Sequence, residues 1–463
     1  MTQYQKSRLA PGPRGTDGLR LISAFRDNAA KALLDLHLSY GNVVQFFFGK
    51  RLNTLICHPE HIQSVLQNNA PNYSKGIVFD AFKPLIGEGL LTSNGDHWRR
   101  QRKLAQPAFQ AQRFTGFVDM VAQETMEMVQ HWQARSNGNS RSHEAKQLDL
   151  VVEMHQLTFV IIAKTLFSTD FGDRVVEMSK AFDLANQEGT HRIRSLVKLP
   201  MWLPTTHNRR YKRAVCALEQ IVNQLINERR QSNQDYGDLL SRFLSARDPE
   251  SGQGMSDQQL RDEILTFLFA GHETTSSALC WIFALLAQHP KVLEMLRTEL
   301  QSVLGDRPVQ FDDLVKLIYT RRVIQESMRL YPSVYAIQRR ACVDQEIGGY
   351  PIPAGSGVTI SPFVTHRHAD FWDNPECFDP ERFNQDLSPR RHPFAYLPFG
   401  GGQRTCIGGS FAMMEMATIL ATIVRWGNLC LAPEQVMTME TLVSLRPQGG
   451  LRMFFNPLNK NVV

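Results

Sequence analysis

One cysteine sits where a glycine-rich loop runs into an apolar segment, in FGGGQRTCIGGSFAMMEM, Phe399 to Met416. A helix N-terminus carries partial positive charge and unsatisfied N–H groups, and glycines let a loop turn its own N–H groups toward sulfur. A thiolate is therefore favoured at Cys406, suited to be a metal ligand or a nucleophile. A buried structural thiol is the plain alternative. Nucleotide chemistry does not fit, because the GK[ST] ending of a phosphate loop is missing and Thr405 stands where GxGxxG needs its last glycine.

A second stretch, FLFAGHETTSSALCWIF from Phe267 to Phe283, places Gly271, His272, Glu273, Thr274, Thr275, Ser276 and Ser277 inside an apolar helix pattern. The His-Glu pair lacks the second histidine of HExxH, so a zinc protease is set aside. Hydroxyls tolerate a buried helix by bonding back to the preceding turn, which accounts for Thr275, Ser276 and Ser277. Elsewhere, ESMRLYP puts Glu326 and Arg329 three apart on one helix face, and GDHWRRQRKLAQPAF puts Trp98 and Arg102 four apart. Alone, the first reads as a solvated ion pair and the second as an amphipathic helix with a basic face.

Together these segments resemble the cytochrome P-450 family of haem-thiolate monooxygenases, soluble bacterial type. The loop Phe-x-x-Gly-x-Arg-x-Cys-x-Gly is matched by Phe399, Gly402, Arg404, Cys406 and Gly408; Glu-x-x-Arg by Glu326 and Arg329; Trp-x-x-x-Arg by Trp98 and Arg102; and (Ala/Gly)-Gly-x-(Asp/Glu)-Thr by Ala270, Gly271, Glu273 and Thr274. The resemblance implies haem b (iron protoporphyrin IX) with Cys406 as the axial iron ligand, which favours O–O cleavage. Phe399 would pack beside the sulfur. Arg102, Arg404 and Arg339, the last with Arg340 next to it, would meet propionates. Glu326, Arg329 and Arg382 of DPERF would form a buried structural network behind the haem. Ala270 and Gly271 would leave room for a flat cofactor, while Glu273 and Thr274 would deliver protons. His272 falls at the motif's variable position and has no assigned role.

The same resemblance implies hydroxylation of an apolar substrate with O2 and two electrons, as in the fatty-acid hydroxylase-like members, with a long-chain fatty acid or a terpenoid as substrate. By position, Phe79, Phe82, Leu91, Phe269 and Ala336 are pocket candidates. No cysteine spacing suits an iron–sulfur cluster, so electrons are expected from a separate ferredoxin or flavodoxin with its reductase. Arg99, Arg100, Lys103, Arg321 and Arg322 are candidates for steering that partner. The rival classes are a peroxygenase or isomerase on the same fold and a non-catalytic haem sensor.

The elements that must position these residues are mainly helical, with a smaller β part. VVQFFFGKRLNTLIC (43 to 57) predicts two strands about the Gly49-Lys50 turn, and EIGGYPIPAGSGVTI (346 to 360) predicts more. Helical spacing covers about 96–335 and 407–427, with polar loops at 134 to 147 and 245 to 257. The β-rich part falls at about 40–60 and 346–360. The segment from Asp257 to Gln288 would form a central helix roughly 45 Å long. Residues 361 to 405 are dense in Pro, Phe and Arg, and long irregular segments of this kind tend to be functional. No composition shift forces a cut, so 1–463 is expected to be a single haem-thiolate monooxygenase domain.

The chain has 463 residues, 43% hydrophobic, with a net charge of +6. That excess suits an acidic protein partner and is too diffuse for nucleic acid. Seven scattered cysteines without CxxC spacing argue against a disulfide framework or zinc knuckle and for a reducing cytoplasm. The N-terminus, MTQYQKSRLAPGPRG, carries no apolar core of a signal peptide or membrane anchor, so a cytoplasmic monomer is expected.

Overall fold

The computed structural model describes residues 9–49, 51–110, 114–137, 147–168, 173–194, 200–232, 234–384, 386 and 391–458. In chain order it begins with α1 (Thr16–Tyr40), β1 (Val43–Phe48), β2 (Arg51–Ile56), α2 (Pro59–Gln63), β3 (Tyr73–Lys75), α3 (Lys83–Ile86), α4 (Gly95–Ala105) and α5 (Thr115–Asn137). Then come β4 (Gln147–Asp149), α6 (Leu150–Phe167), α7 (Asp173–Arg194), α8 (Thr206–Ser232), α9 (Leu239–Ser245), α10 (Asp257–Gln288), α11 (Pro290–Leu304) and α12 (Ile318–Leu330). The last part holds β5 (Ile337–Ala341), β6 (Gln345–Ile347), β7 (Tyr350–Ile352), β8 (Gly357–Ile360), α13 (Pro362–Thr365), α14 (Gly409–Trp426), β9 (Gly427–Leu431), β10 (Met439–Thr441), β11 (Leu445–Pro447) and β12 (Arg452–Pro457). The chain divides into two compact units, the first made of Met1–Val78, Arg321–Cys406 and Met437–Gln448, the second of Phe79–Thr320, Ile407–Val436 and Gly449–Val463.

The first unit is built on a five-stranded sheet of order β1-β2-β8-β5-β3. The hairpin expected from 43–57 forms with Phe48 opposite Arg51 and Gly49 at φ 61°, a left-handed conformation that a residue with a Cβ resists. Strand β8 then adds parallel to β2, and β5 and β3 follow antiparallel. Two hydrophobic clusters cover the sheet, one holding Leu33 and Leu36 of α1 against Phe46 and Leu55, the other holding Ile56, Ile62, Val358 and Ile360.

The second unit is helical, with the small sheet β4-β12-β9 at its margin. Helix α10 spans the 32 residues expected and is buried on nearly every side, as an apolar stripe that closes around the whole helix requires. Its start is fixed by a reciprocal cap, Ser256 Oγ accepting from Gln259 N–H at 3.2 Å and Gln259 Oε1 accepting from Ser256 N–H at 2.9 Å. Pro290 ends it, and α11 leaves at 110°. Among the described residues, α6 is the one helix long and apolar enough by itself to cross a membrane, and 61% of it is buried in the protein.

The polar loop expected at 134–147 is shorter where it can be described. Helix α5 continues to Asn137 and β4 begins at Gln147, while 138–146 lie outside the described residues. Among the described residues, 361–405 hold only α13 and isolated single turns, as a Pro-dense segment dictates.

Candidate active site

In the first unit the cysteine loop closes on itself. Cys406 N–H donates to Phe399 O at 2.9 Å, and Thr405 binds Gly402 O through both its N–H (3.1 Å) and its hydroxyl (2.7 Å). Gly400 and Gly402 have φ 73° and 68°, and a Cβ on Gly402 would collide with the Leu66 carbonyl. That glycine is required twice, for its dihedral and for backbone contact. Phe399 is half-buried and Cys406 exposed.

Behind the loop lies the expected carboxylate–guanidinium network. Glu326 and Arg329 are fully buried and joined at 2.7 and 2.9 Å, and Arg382 Nε donates to Glu326 Oε1 at 3.2 Å. Arg329 also donates to the carbonyls of His366, Pro375 and Cys377, so every face of the buried charge is occupied. The sequence reading missed His366. Its Nε2 accepts the Leu397 N–H at 2.7 Å, which fixes the proton on Nδ1, and Nδ1 donates to Arg329 O at 3.2 Å. Burial, then the charge of Arg329, push this imidazole down to about 3. A neutral histidine thus ties the ion-pair helix to the residue two before Phe399.

The pleat separates Arg339 from Arg340. Along β5 they point to opposite faces, and Arg339 is buried while Arg340 is exposed. Lys75 of β3 lies directly across from Arg339 in the register. Lys75 is half-buried as a residue, but its ammonium is enclosed; burial, then Arg339 and Arg404, hold it well below the ordinary lysine range. Burial pushes Arg339 down to about 10, and burial followed by Arg339 does the same to Arg404. Lys75 and Arg339, enclosed, and Arg404, half-buried, form a basic donor set that a dianionic ligand such as a haem with two propionates fits. Lys75 carried no sequence signal, because a lysine ending a three-residue strand looks like any surface lysine.

In the second unit, Trp98 is buried on α4 and Arg102 half-buried one turn on. On α10, Ala270 and Thr274 are half-buried on one face, and Thr274 Oγ1 donates to Ala270 O at 2.7 Å. Glu273 is 2% exposed and accepts from Asn186 Nδ2 of α7 at 2.9 Å. A Cβ on Gly271 would press on Ile162 of α6 at 3.0 Å, so this small residue also lets two helices approach. Ser276 bonds back to Glu273 O at 3.0 Å, as the hydroxyl rule predicts. Thr275 instead hydrogen-bonds Glu415 of α14, a carboxyl that burial pushes up to about 8. Of the pocket candidates, Phe82 and Phe269 meet at 5.2 Å between ring centroids. Phe79 and Leu91 are half-buried in the same unit, whereas Ala336 packs against the Leu33–Phe46 cluster of the first unit and reads as core.

A sequence model described as "Cytochrome P450" matches residues 18–451. The chain belongs to the cytochrome P450 family. It is 38% identical, over 84% of its length and 83% of the relative's, to cyclooctat-9-en-7-ol 5-monooxygenase of Streptomyces melanosporofaciens. It is 31% identical to pentalenene oxygenase of Streptomyces avermitilis, covering 90% of both chains. The crystal structure of the cytochrome P450DA heme domain superposes with a TM-score of 0.88, at 25% identity, over 98% of both chains. This P450 is therefore a haem-dependent monooxygenase that acts on an apolar substrate with dioxygen and an electron-donor partner.

Proposed function

We propose that this cytochrome P450 hydroxylates a terpenoid, with haem b bound through Cys406 and electrons drawn from a ferredoxin or flavodoxin and its reductase. The terpenoid assignment is supported by the relatives named for cyclooctat-9-en-7-ol and pentalenene, which favour it over a long-chain fatty acid. The observation that carries the cofactor reading is the glycine loop of Cys406, braced by Glu326, Arg329, Arg382 and His366 beside the cations Lys75, Arg339 and Arg404. When bound, the haem supplies a redox-active iron whose thiolate ligand favours cleavage of the O–O bond.

The chain's own residues do the rest. Phe399 covers the sulfur. In the first unit Lys75, Arg339 and Arg404 would hold propionates, and for Trp98 and Arg102 of α4 the propionate role is the one their Trp-x-x-x-Arg motif implies. Ala270 would leave room for the flat cofactor. Thr274 gives up its bond to Ala270 O and holds a water or donates a proton to dioxygen, and Glu273 resupplies that proton. The sum is RH, O2, two electrons and two protons going to ROH and water. Phe82 and Phe269, with Phe79 and Leu91, line an apolar pocket that orients the substrate. The whole chain 1–463 acts as one haem-thiolate monooxygenase domain, as a cytoplasmic bacterial monomer.

The test is a reduced, carbon monoxide-bound spectrum followed by turnover of a cyclic terpene alcohol with a surrogate ferredoxin system against peroxide alone. A thiolate-type Soret shift and reductase-dependent product are expected. Absence of the shift in haem-loaded protein, or equal product from peroxide alone, overturns the reading.

A further inference from the structure

Helices α6, α7 and α10 bring together a second cluster that the proton path does not use. His272, unexplained by the sequence motif, has its ring fully enclosed, with Nε2 3.2 Å from Nδ1 of His155 on α6. Asp183 of α7 adds a carboxylate, and one ligand atom from each of the three lies within 4.8 Å of the others. We propose that His155, Asp183 and His272 form a binding site for a divalent transition-metal cation, zinc first, which staples α6, α7 and α10 together.

Donor chemistry and geometry support this independently. Two imidazoles and a carboxylate are a zinc ligand set, with a water left for the fourth position. Ligand nitrogens about 2.0–2.1 Å from a tetrahedral ion stand about 3.3 Å apart, so the His155–His272 spacing already matches one edge of that polyhedron. The Asp183 side chain is exposed, and its carboxylate lies within 4.8 Å of a ligand atom on each histidine.

Phe159 and Phe182 meet the His272 ring edge to face, at 5.5 and 5.0 Å, and fix its plane. Its Nδ1 has no hydrogen-bond partner, so the polar work of the ring falls on Nε2, the nitrogen facing His155. Ring packing takes the orienting part that an acceptor on the second nitrogen usually plays.

The test uses the haem-loaded full chain, stripped with chelator and titrated with Zn2+ by calorimetry, with the bound ion read by zinc-edge X-ray absorption. One equivalent with nitrogen and oxygen ligands is expected. Asp183→Asn should weaken binding at least tenfold, and His155→Ala at least as much, with the carbon monoxide spectrum retained as the check on folding. Because Asp183 is exposed, its variant keeps the test decisive if His155→Ala does not fold. Zinc bound equally by wild type and Asp183→Asn, zinc on sulfur ligands such as the exposed cysteines, or no binding overturns the proposal. None of these readouts depends on turnover, so the monooxygenase reading stands or falls separately.

Discussion

At the scale of single residues, the hydroxyls of α10 divide by where each points. Thr274 is half-buried and bonded to Ala270 O, Ser276 returns to its own turn, and Thr275 crosses to Glu415. Thr274→Ala is expected to keep the carbon monoxide spectrum but lower product per electron pair by about tenfold or more, the range of a lost general-acid contact. Unchanged coupling, measured as NADH consumed against product formed, removes Thr274 from the proton path. Glu415 makes a different prediction. Its carboxyl is raised to about 8 by burial, so between the ordinary carboxyl pKa and about 8 the folded chain holds a proton that the unfolded chain releases. The stability from this group is fully present below the unfolded pKa and is lost as pH rises through about 8. Glu415→Gln should flatten the decline in melting temperature between about pH 5 and about pH 8, a slope of up to about 1.4 kcal/mol per pH unit. Glu263, also raised to about 8, keeps its own share of that slope. Parallel profiles for variant and wild type would refute the buried-acid assignment.

At the scale of elements, the cysteine loop is positioned from below. The helix pair Glu326–Arg329 reaches the loop through His366 and the Leu397 N–H, and Tyr396 Oη donates to Gln325 O at 2.8 Å beside it. Arg329→Met leaves Glu326 buried with one guanidinium fewer, an expected loss of about 3–5 kcal/mol. Denaturant unfolding of the haem-loaded protein reads it, and an unmoved midpoint would mean that the network is not structural. The ion pair was legible in ESMRLYP because three-residue spacing places both ends on one helix face. His366 was not, because its partners are backbone groups 37 and 31 residues away, and backbone donors and acceptors leave no mark on a sequence. The packing partner of Gly271 was hidden for a similar reason, since a Cβ there would meet Ile162, more than a hundred residues earlier.

At the scale of the whole molecule, the basic surface is less open than a count of charges suggests. Arg99 pairs with Asp96, Lys103 with Glu250 at 2.8 Å and Arg322 with Glu381 at 3.1 Å, while Arg100 is spent on the Gly254 carbonyl. What remains is the net +6, a long-range field that salt screens over a Debye length of about 10 Å at 0.1 M. Reduction by an acidic ferredoxin should therefore slow several-fold as ionic strength rises from about 0.05 to about 0.5 M, measured by stopped flow. A flat salt profile would dismiss electrostatic steering. The sequence by itself determined the helical class, the hairpin at 43–57, the bounds of α10 and the motif residues, because each rests on short-range periodicity or on spacing along one helix or loop. Only the tertiary structure decided that Arg339 rather than Arg340 turns inward, that Lys75 joins it, that Glu415 answers Thr275, and that His272 meets His155 and Asp183. Those pairings depend on strand register and on which helix faces pack together, and neither is written in the spacing of residues along the chain.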